Sequence, residues 1–166
     1  MDRRCITILG EGGVGKTALA VKFTQRNFGY DPSIEDTYLR SDLVDDRHCL
    51  IELVDTAGQE EYASLQSEWI RQSHACILVY SMTSRESFVG IELFQQAVVR
   101  HGGRILMLVG NKSDLVTERQ VTWQDGKDLA DHYQCSFIET SAKAGINVDT
   151  LFHRVVRELR ALQTEH

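Results

Sequence analysis

The segment Gly10-Glu11-Gly12-Gly13-Val14-Gly15-Lys16-Thr17 limits what this chain can fold into more than any other stretch. It comes after a short apolar run, residues 5–9. It opens a segment of helical periodicity, residues 16–26, that carries Ala18, Leu19, Val21 and Phe23. Glycines between a strand and a helix let backbone N–H groups approach phosphate oxygens, and the helix N-terminus favours the anion. Two templates fit at once. Gly10-x-Gly12-x-x-Gly15 is the dinucleotide fingerprint, and Gly10-x4-Gly15-Lys16-Thr17 is the phosphate loop of nucleoside triphosphate binders. They differ in the residues each requires further along the chain. The second needs a lysine for the β- and γ-phosphates and a hydroxyl for Mg²⁺, and Lys16 and Thr17 supply both. The first needs an acid at the next strand end, about 20 residues on. There the chain has the loop-like Asp31-Pro32-Ser33-Ile34. A tight turn without a ligand accounts for the glycines alone, but not for Gly-Lys-Thr in this setting.

Around this loop, strand-like and helix-like segments alternate. Residues 38–44 and 48–54 flank Asp45-Asp46, which reads as a hairpin turn. Residues 75–80, 105–109 and 136–139 read as further strands, and 84–100, 124–133 and 147–162 as helices. Alternation of this kind predicts a mostly parallel sheet covered on both faces, with ligands outside the carboxyl ends of the strands. The length of 166 residues favours one domain, residues 1–166, and 42% apolar content excludes intrinsic disorder. No apolar run is long enough to span a membrane. Cys5, Cys49, Cys76 and Cys135 form no CxxC pair and read as small buried hydrophobes in a reducing compartment. None of the six histidines reads as a ligand. Trp69 and Trp123 read as packing or surface aromatics, and the apolar stripe from Val148 to Leu159 as a core face.

Three later strand ends call for the same nucleotide. Asp55-Thr56-Ala57-Gly58-Gln59 offers a carboxylate for a Mg²⁺-bound water, a glycine N–H for a terminal phosphate and a glutamine with the reach to orient water. Gly110-Asn111-Lys112-Ser113-Asp114 places a carboxylate where it can accept from guanine N1–H and N2–H. Adenine lacks the N1–H and is rejected by such a contact. Thr140-Ser141-Ala142-Lys143 can set a hydroxyl on the Asp114 carboxylate, a backbone N–H on guanine O6 and a lysine stem over the ring. Each segment alone reads equally well as an ordinary turn, but four in this order, each after a strand, do not coincide by chance.

On these residues the chain resembles a Ras-family small GTPase of the Ras/Rap type, and the resemblance runs over essentially all of it. The stretch from Tyr30 to Tyr38 is similar to the Ras/Rap effector loop, and that from Asp55 to Tyr62 to the Ras form of the second switch loop. The resemblance implies an α/β fold of the P-loop NTPase type. That is a mostly parallel six-stranded sheet with one antiparallel edge hairpin, flanked by about five helices. It also implies GTP or GDP as ligand, with Mg²⁺. By resemblance, Gly12, Gly13, Val14, Gly15, Lys16, Thr17 and Ala18 would line the nucleotide. Lys16 would contact the β- and γ-phosphates, Gly58 would hold the γ-phosphate, and Gln59 would orient the attacking water. Thr17 and Ser33 would ligate Mg²⁺, with Asp55 acting through water. Phe28 would meet the base edge, and Asn111, Lys112, Asp114, Ser141, Ala142 and Lys143 would frame the base. Slow hydrolysis would be accelerated by an activating protein that inserts an arginine.

Two departures stand out. Only Gly29 separates Phe28 from Tyr30, where the family has three residues, which puts the ribose contact and the exchange rate in question. Ser33 stands where the family has threonine, so the metal-binding oxygen is kept and the methyl is lost. These leave open an alternative, a GTP-binding module with little useful hydrolysis. An adenine-nucleotide kinase and an NAD-dependent oxidoreductase share only the glycine loop.

The formal net charge is −6, from 18 Lys and Arg against 24 Asp and Glu. Residues 31–61 hold ten acids and two bases, a local balance of −8, and the remainder carries +2. The overall balance argues against nucleic acid as a partner. The local one predicts an effector with a basic face that contacts the segment from Ser33 to Tyr38, by strand addition beside residues 37–43. A guanine nucleotide exchange factor and a GTPase-activating protein are implied by the resemblance. The chain ends at residues 162–166 with no Cys-a-a-X box. The expectation is a cytoplasmic protein trimmed before a lipidated tail, which would hold it at the inner face of the plasma membrane.

Overall fold

The computed structural model describes residues 2–24, 37–56 and 63–164. In chain order the elements are β1 (Arg3–Leu9), α1 (Lys16–Thr24), β2 (Thr37–Val44), β3 (Arg47–Asp55), α2 (Ala63–Gln72), β4 (Ala75–Ser81), α3 (Arg85–Val89) and α4 (Ile91–Arg100). Then come β5 (Ile105–Asn111), a short 3-10 turn (Val116–Glu118), α5 (Trp123–Tyr133), β6 (Ser136–Glu139) and α6 (Val148–Thr164). The strands form one sheet in the order β2-β3-β1-β4-β5-β6, and only β2 and β3 pair antiparallel. Asp45 and Asp46 turn that hairpin with φ of 52° and 62°, a left-handed geometry that short polar side chains tolerate.

The central strand β4 shows why both faces are covered. Ala75, Ile77 and Val79 enter one apolar cluster with Leu19, Phe23 and Phe152, from α1 and α6. Cys76, Leu78 and Tyr80 enter the other with Ile70, Ile91 and Val98, from α2 and α4. A strand buried on both faces needs an unbroken apolar run rather than alternation, and residues 75–80 are fully buried. The stripe from Val148 to Leu159 is a core face, with Leu151, Phe152, Val155 and Val156 inaccessible. Phe23 meets Phe152 at 4.5 Å between ring centroids. Truncating either ring would cost about 3–5 kcal/mol.

Some elements differ from the sequence expectation. The helix expected over 84–100 is interrupted at Gly90, which closes α3 and opens α4. Its φ of −68° and ψ of −13° remain helical, so the interruption is a single residue, at a glycine that lowers helical stability. Counted as one interrupted helix, the pair leaves five helices around the sheet among the described residues. Helix α2 was not legible: of its apolar side chains Ile70 is fully buried, while Trp69 is half-buried. Residues 25 and 26 of the first expected helix lie outside the described residues. All four cysteines are free. Burial lifts the thiols of Cys5, Cys49, Cys76 and Cys135 to about 11, which keeps them protonated and unreactive. Among the described residues no helix is long and apolar enough to cross a membrane.

Candidate functional site

Parallel pairing aligns the carboxyl ends of neighbouring strands. Ile8 of β1 sits beside Asp55 of β3, Leu9 beside Leu78 of β4, and Gly110 of β5 beside Glu139 of β6. The loops that leave these strands therefore share one edge of the sheet. The loop after β1 carries the glycines. Gly15 has a φ of +99°, and a Cβ there would lie 2.3 Å from Asn111 Nδ2, so both backbone conformation and space require glycine. Lys16 opens α1 and is buried to 3% exposure. Its ammonium donates to the carbonyls of Gly10 and Glu11, the latter at 3.0 Å. The lysine thus lies along the inner curve of the glycine loop.

The end of β3 completes the phosphate side. The Thr17 hydroxyl donates to Asp55 Oδ2, and Asp55 is buried. The next residue fastens this strand end, because Thr56 Oγ1 donates to the Ile8 carbonyl at 2.8 Å. A hydroxyl and a carboxylate are hard oxygen donors. Mg²⁺ takes one or two carboxylates together with substrate phosphates rather than an all-protein cage. Among the described residues no group of three His, Cys, Asp or Glu could hold a metal. The Thr17–Asp55 pair offers the donor types that Mg²⁺ takes beside substrate phosphates, so these residues fit that ion.

The base side is built from the loops after β5 and β6. Asn111 is buried, and its amide is engaged on both sides. Nδ2 donates to the Val14 carbonyl at 2.9 Å, while Oδ1 accepts from Thr140 Oγ1 at 2.9 Å and from the Ala142 N–H at 3.4 Å. Lys112, with φ of 69°, sends its ammonium to the Gly13 carbonyl at 2.7 Å. Two side chains thus tie the base loop to the glycine loop. Ser141 Oγ donates to Asp114 Oδ1 at 2.6 Å and accepts from the Ala144 N–H at 3.0 Å. The Asp114 carboxyl is held below its ordinary range chiefly by that hydroxyl, with Lys143 and Lys112 adding attraction. A backbone bridge between Ser141 and Ile146 closes the loop behind it.

These loops enclose a pocket of about 210 Å³ lined by Gly15, Ala18, Asn111, Lys112, Asp114, Leu115, Ala142 and Lys143. Leu115 is the lining residue that the motifs did not single out. Leu115 comes directly after the last motif residue, and Thr140 is wholly buried beneath Asn111. Gly12 is exposed, Gly13 has a φ of 84°, and the Val14 side chain is in the core. Phe28, Ser33, Gly58 and Gln59 lie outside the described residues.

Comparison with known proteins bears on this geometry. The Ras family profile matches residues 5–161. The chain is 43% identical over 160 residues to "Ras-like protein rasZ" of Dictyostelium discoideum, an alignment covering 93% of this chain and 75% of that one. It is 44% identical over 178 residues to "Ras-like protein 1" of Pyricularia oryzae, covering 93% of this chain and 74% of that one.

Proposed function

Because the chain belongs to the Ras family of small GTPases, we propose that it is a guanine-nucleotide switch. It binds GTP with Mg²⁺, hydrolyses it slowly to GDP, and signals through the loops around Ser33 and around Gly58 and Gln59. The observation that carries the guanine reading is the Asp114 carboxylate, oriented by Ser141 at the wall of a pocket that Asn111 and Lys112 tie to the glycine loop. That carboxylate accepts N1–H and N2–H of guanine side by side. Adenine would leave part of its hydrogen bonding unmet, which disfavours it.

On the phosphate side, Lys16 is the cation assigned to the β- and γ-phosphates. Thr17 and Asp55 would hold Mg²⁺, joined by Ser33 in the GTP state. Bound there, the ion supplies charge neutralisation for the phosphate oxygens. Gly58 is assigned to the γ-phosphate and Gln59 to the attacking water. Phe28 meets the base edge, and Ala142 and Lys143 complete the base pocket. The roles of Phe28, Ser33, Gly58 and Gln59 rest on motif resemblance.

A guanine nucleotide exchange factor, a GTPase-activating protein that contributes an arginine, and an effector complete the cycle. The effector reading has support from topology, since β2 is the outer strand of its end of the sheet and an outer strand can accept another. A basic effector face suits the acids of residues 31–61. The localisation proposed is the cytoplasm, with the inner face of the plasma membrane if the natural protein carries a lipidated C-terminal tail. Competition binding among GTP, ATP and NAD, with and without Mg²⁺, and then phosphate release, test the reading. The expected result is Mg²⁺-dependent preference for GTP with slow turnover. Tight binding of ATP or NAD overturns the guanine assignment, and binding without any phosphate release overturns the hydrolysis.

A further inference from the structure

At the end of the sheet opposite the glycine loop, four neighbouring strands begin on a basic residue or directly after one. Arg3 opens β1, Arg47 opens β3, His74 precedes β4 and Arg104 precedes β5, in the spatial order β3-β1-β4-β5. All four line one cavity of about 560 Å³, whose wall also holds Arg4 and Asp2. The carboxylates near it are already engaged. Asp2 accepts from Arg4 Nε at 2.8 Å and from Arg160 Nη2 at 2.8 Å, and Glu52 accepts from Arg3. Among the described residues, the guanidinium groups of Arg47 and Arg104 have no hydrogen bond or ion pair.

These groups are launched from fixed backbone. The Arg104 carbonyl accepts from the Cys76 N–H at 2.7 Å, and the Arg47 carbonyl from Arg160 Nη2 at 3.2 Å. His74 is held on both sides of Cys5: its N–H donates to the Cys5 carbonyl at 2.8 Å, and its Nδ1 accepts the Cys5 N–H at 2.8 Å. That second bond fixes the neutral tautomer with the proton on Nε2, a donor. Burial, and then the positive charges of Arg4 and Arg3, lower the His74 pKa against the opposing pull of Asp2 and Glu52, which favours the neutral ring that this hydrogen bond requires.

We propose that this cavity binds a phosphate group, either on a free small molecule or on the headgroup of a membrane lipid, through Arg47, Arg104 and His74 Nε2–H. Two planar guanidinium forks and an imidazole N–H from three strand starts offer more donors than one carboxylate can accept. A phosphate has oxygens enough for all of them. This site and the nucleotide site lie at opposite ends of the strands, so neither reading depends on the other.

The test uses the full 166-residue chain loaded with GDP. Inositol trisphosphate is titrated by calorimetry, and co-sedimentation is measured with vesicles of phosphatidylcholine alone or doped with phosphatidylinositol bisphosphate. The expected result is saturable binding to at least one phosphate probe. The double variant Arg47→Ala/Arg104→Ala should weaken it roughly 100-fold, about tenfold per charge-assisted contact. The control Arg85→Ala/Lys127→Ala removes the same charge from α3 and α5, away from the cavity, and should leave it unchanged. GDP affinity should be the same in all three proteins, which establishes that each is folded. Binding of the soluble probe with no preference for doped vesicles assigns a free phosphate, and preference for doped vesicles assigns a lipid. No saturable binding to either probe, or equal loss in the control, overturns the proposal.

Discussion

Where β1 ends, a glycine loop leads into the N-terminus of α1; where β1 begins, the chain carries Arg3 and Arg4. The same contrast holds along the sheet. At the carboxyl edge, helices begin, and the first N–H groups of a helix lack intrahelical partners and carry partial positive charge. At the amino edge, helices end: α2 at Gln72, α4 at Arg100 and α5 at Tyr133, shortly before β4, β5 and β6. A helix end presents carbonyls and partial negative charge, which repel an anion. An anion site at the carboxyl edge can therefore rest on backbone, with few charged side chains. One at the amino edge must be made of side-chain charge. The sequence differs accordingly, with glycines and Lys16 at one edge and four arginines lining the cavity at the other.

The largest expected effect breaks the carboxyl edge alone. Asp114→Asn should lower GTP affinity on the order of 10³-fold and shift preference toward xanthine nucleotides, whose C2 carbonyl accepts where guanine donates. Unchanged GTP affinity in competition binding would remove Asp114 from the site. Next comes Asn111→Ala. It leaves the buried Val14 carbonyl and the Thr140 hydroxyl without this partner, and should cost about 2–3 kcal/mol in urea unfolding. A loss below about 1 kcal/mol would show that the two loops hold together without that tie.

At the amino edge, Asp2 gives a pH test. Burial alone would raise its pKa, but the hydrogen bonds from Arg160 and Arg4 outweigh it and leave the carboxyl below its usual range. Its contribution is complete above the unfolded-state value of ~3.9 and is lost as pH falls through the lower folded value. Asp2→Asn should therefore destabilise at neutral pH by about 1–3 kcal/mol and flatten the acid limb of the stability curve. An acid limb identical to that of the parent would refute the pairing. The smallest effect belongs to Arg104→Ala. With no side-chain bond among the described residues to lose, it should change unfolding free energy by less than about 0.5 kcal/mol. A larger loss would mean that Arg104 supports the fold, and the charge at the amino edge would then be structural as well.

How much was legible varied with the reach of each feature. The strand over residues 136–139 and the helix expected over 124–133 were readable because their causes are local. At α5, Thr122 accepts from the Asp125 N–H at 3.0 Å, and Asp125 accepts in return from the Thr122 N–H. The interruption at Gly90 was missed because apolar periodicity continues across it. Helix α2 was missed because its sequence, Ala63–Gln72, carries few large apolar residues among polar ones. In the site, the residue types of Lys16, Thr17, Asp55, Asn111 and Asp114 were readable from motif spacing. The part Asn111 plays within the protein was not, since its partners Val14 and Thr140 lie 97 and 29 residues away.

By itself the sequence determined the alternation of strands and helices, the glycine-rich turn into α1 and the identities of the groups that would meet a nucleotide. These are properties of short windows, set by side-chain periodicity and by which residues tolerate a given φ. Tertiary structure alone decided which distant groups meet. It put Thr17 on Asp55 and Ser141 on Asp114, and it gathered Arg47, His74 and Arg104 around one cavity. The reason is register. Once parallel strands bury both faces, their relative shift is fixed by packing over the whole sheet, and every residue at a strand end inherits its neighbours from that shift.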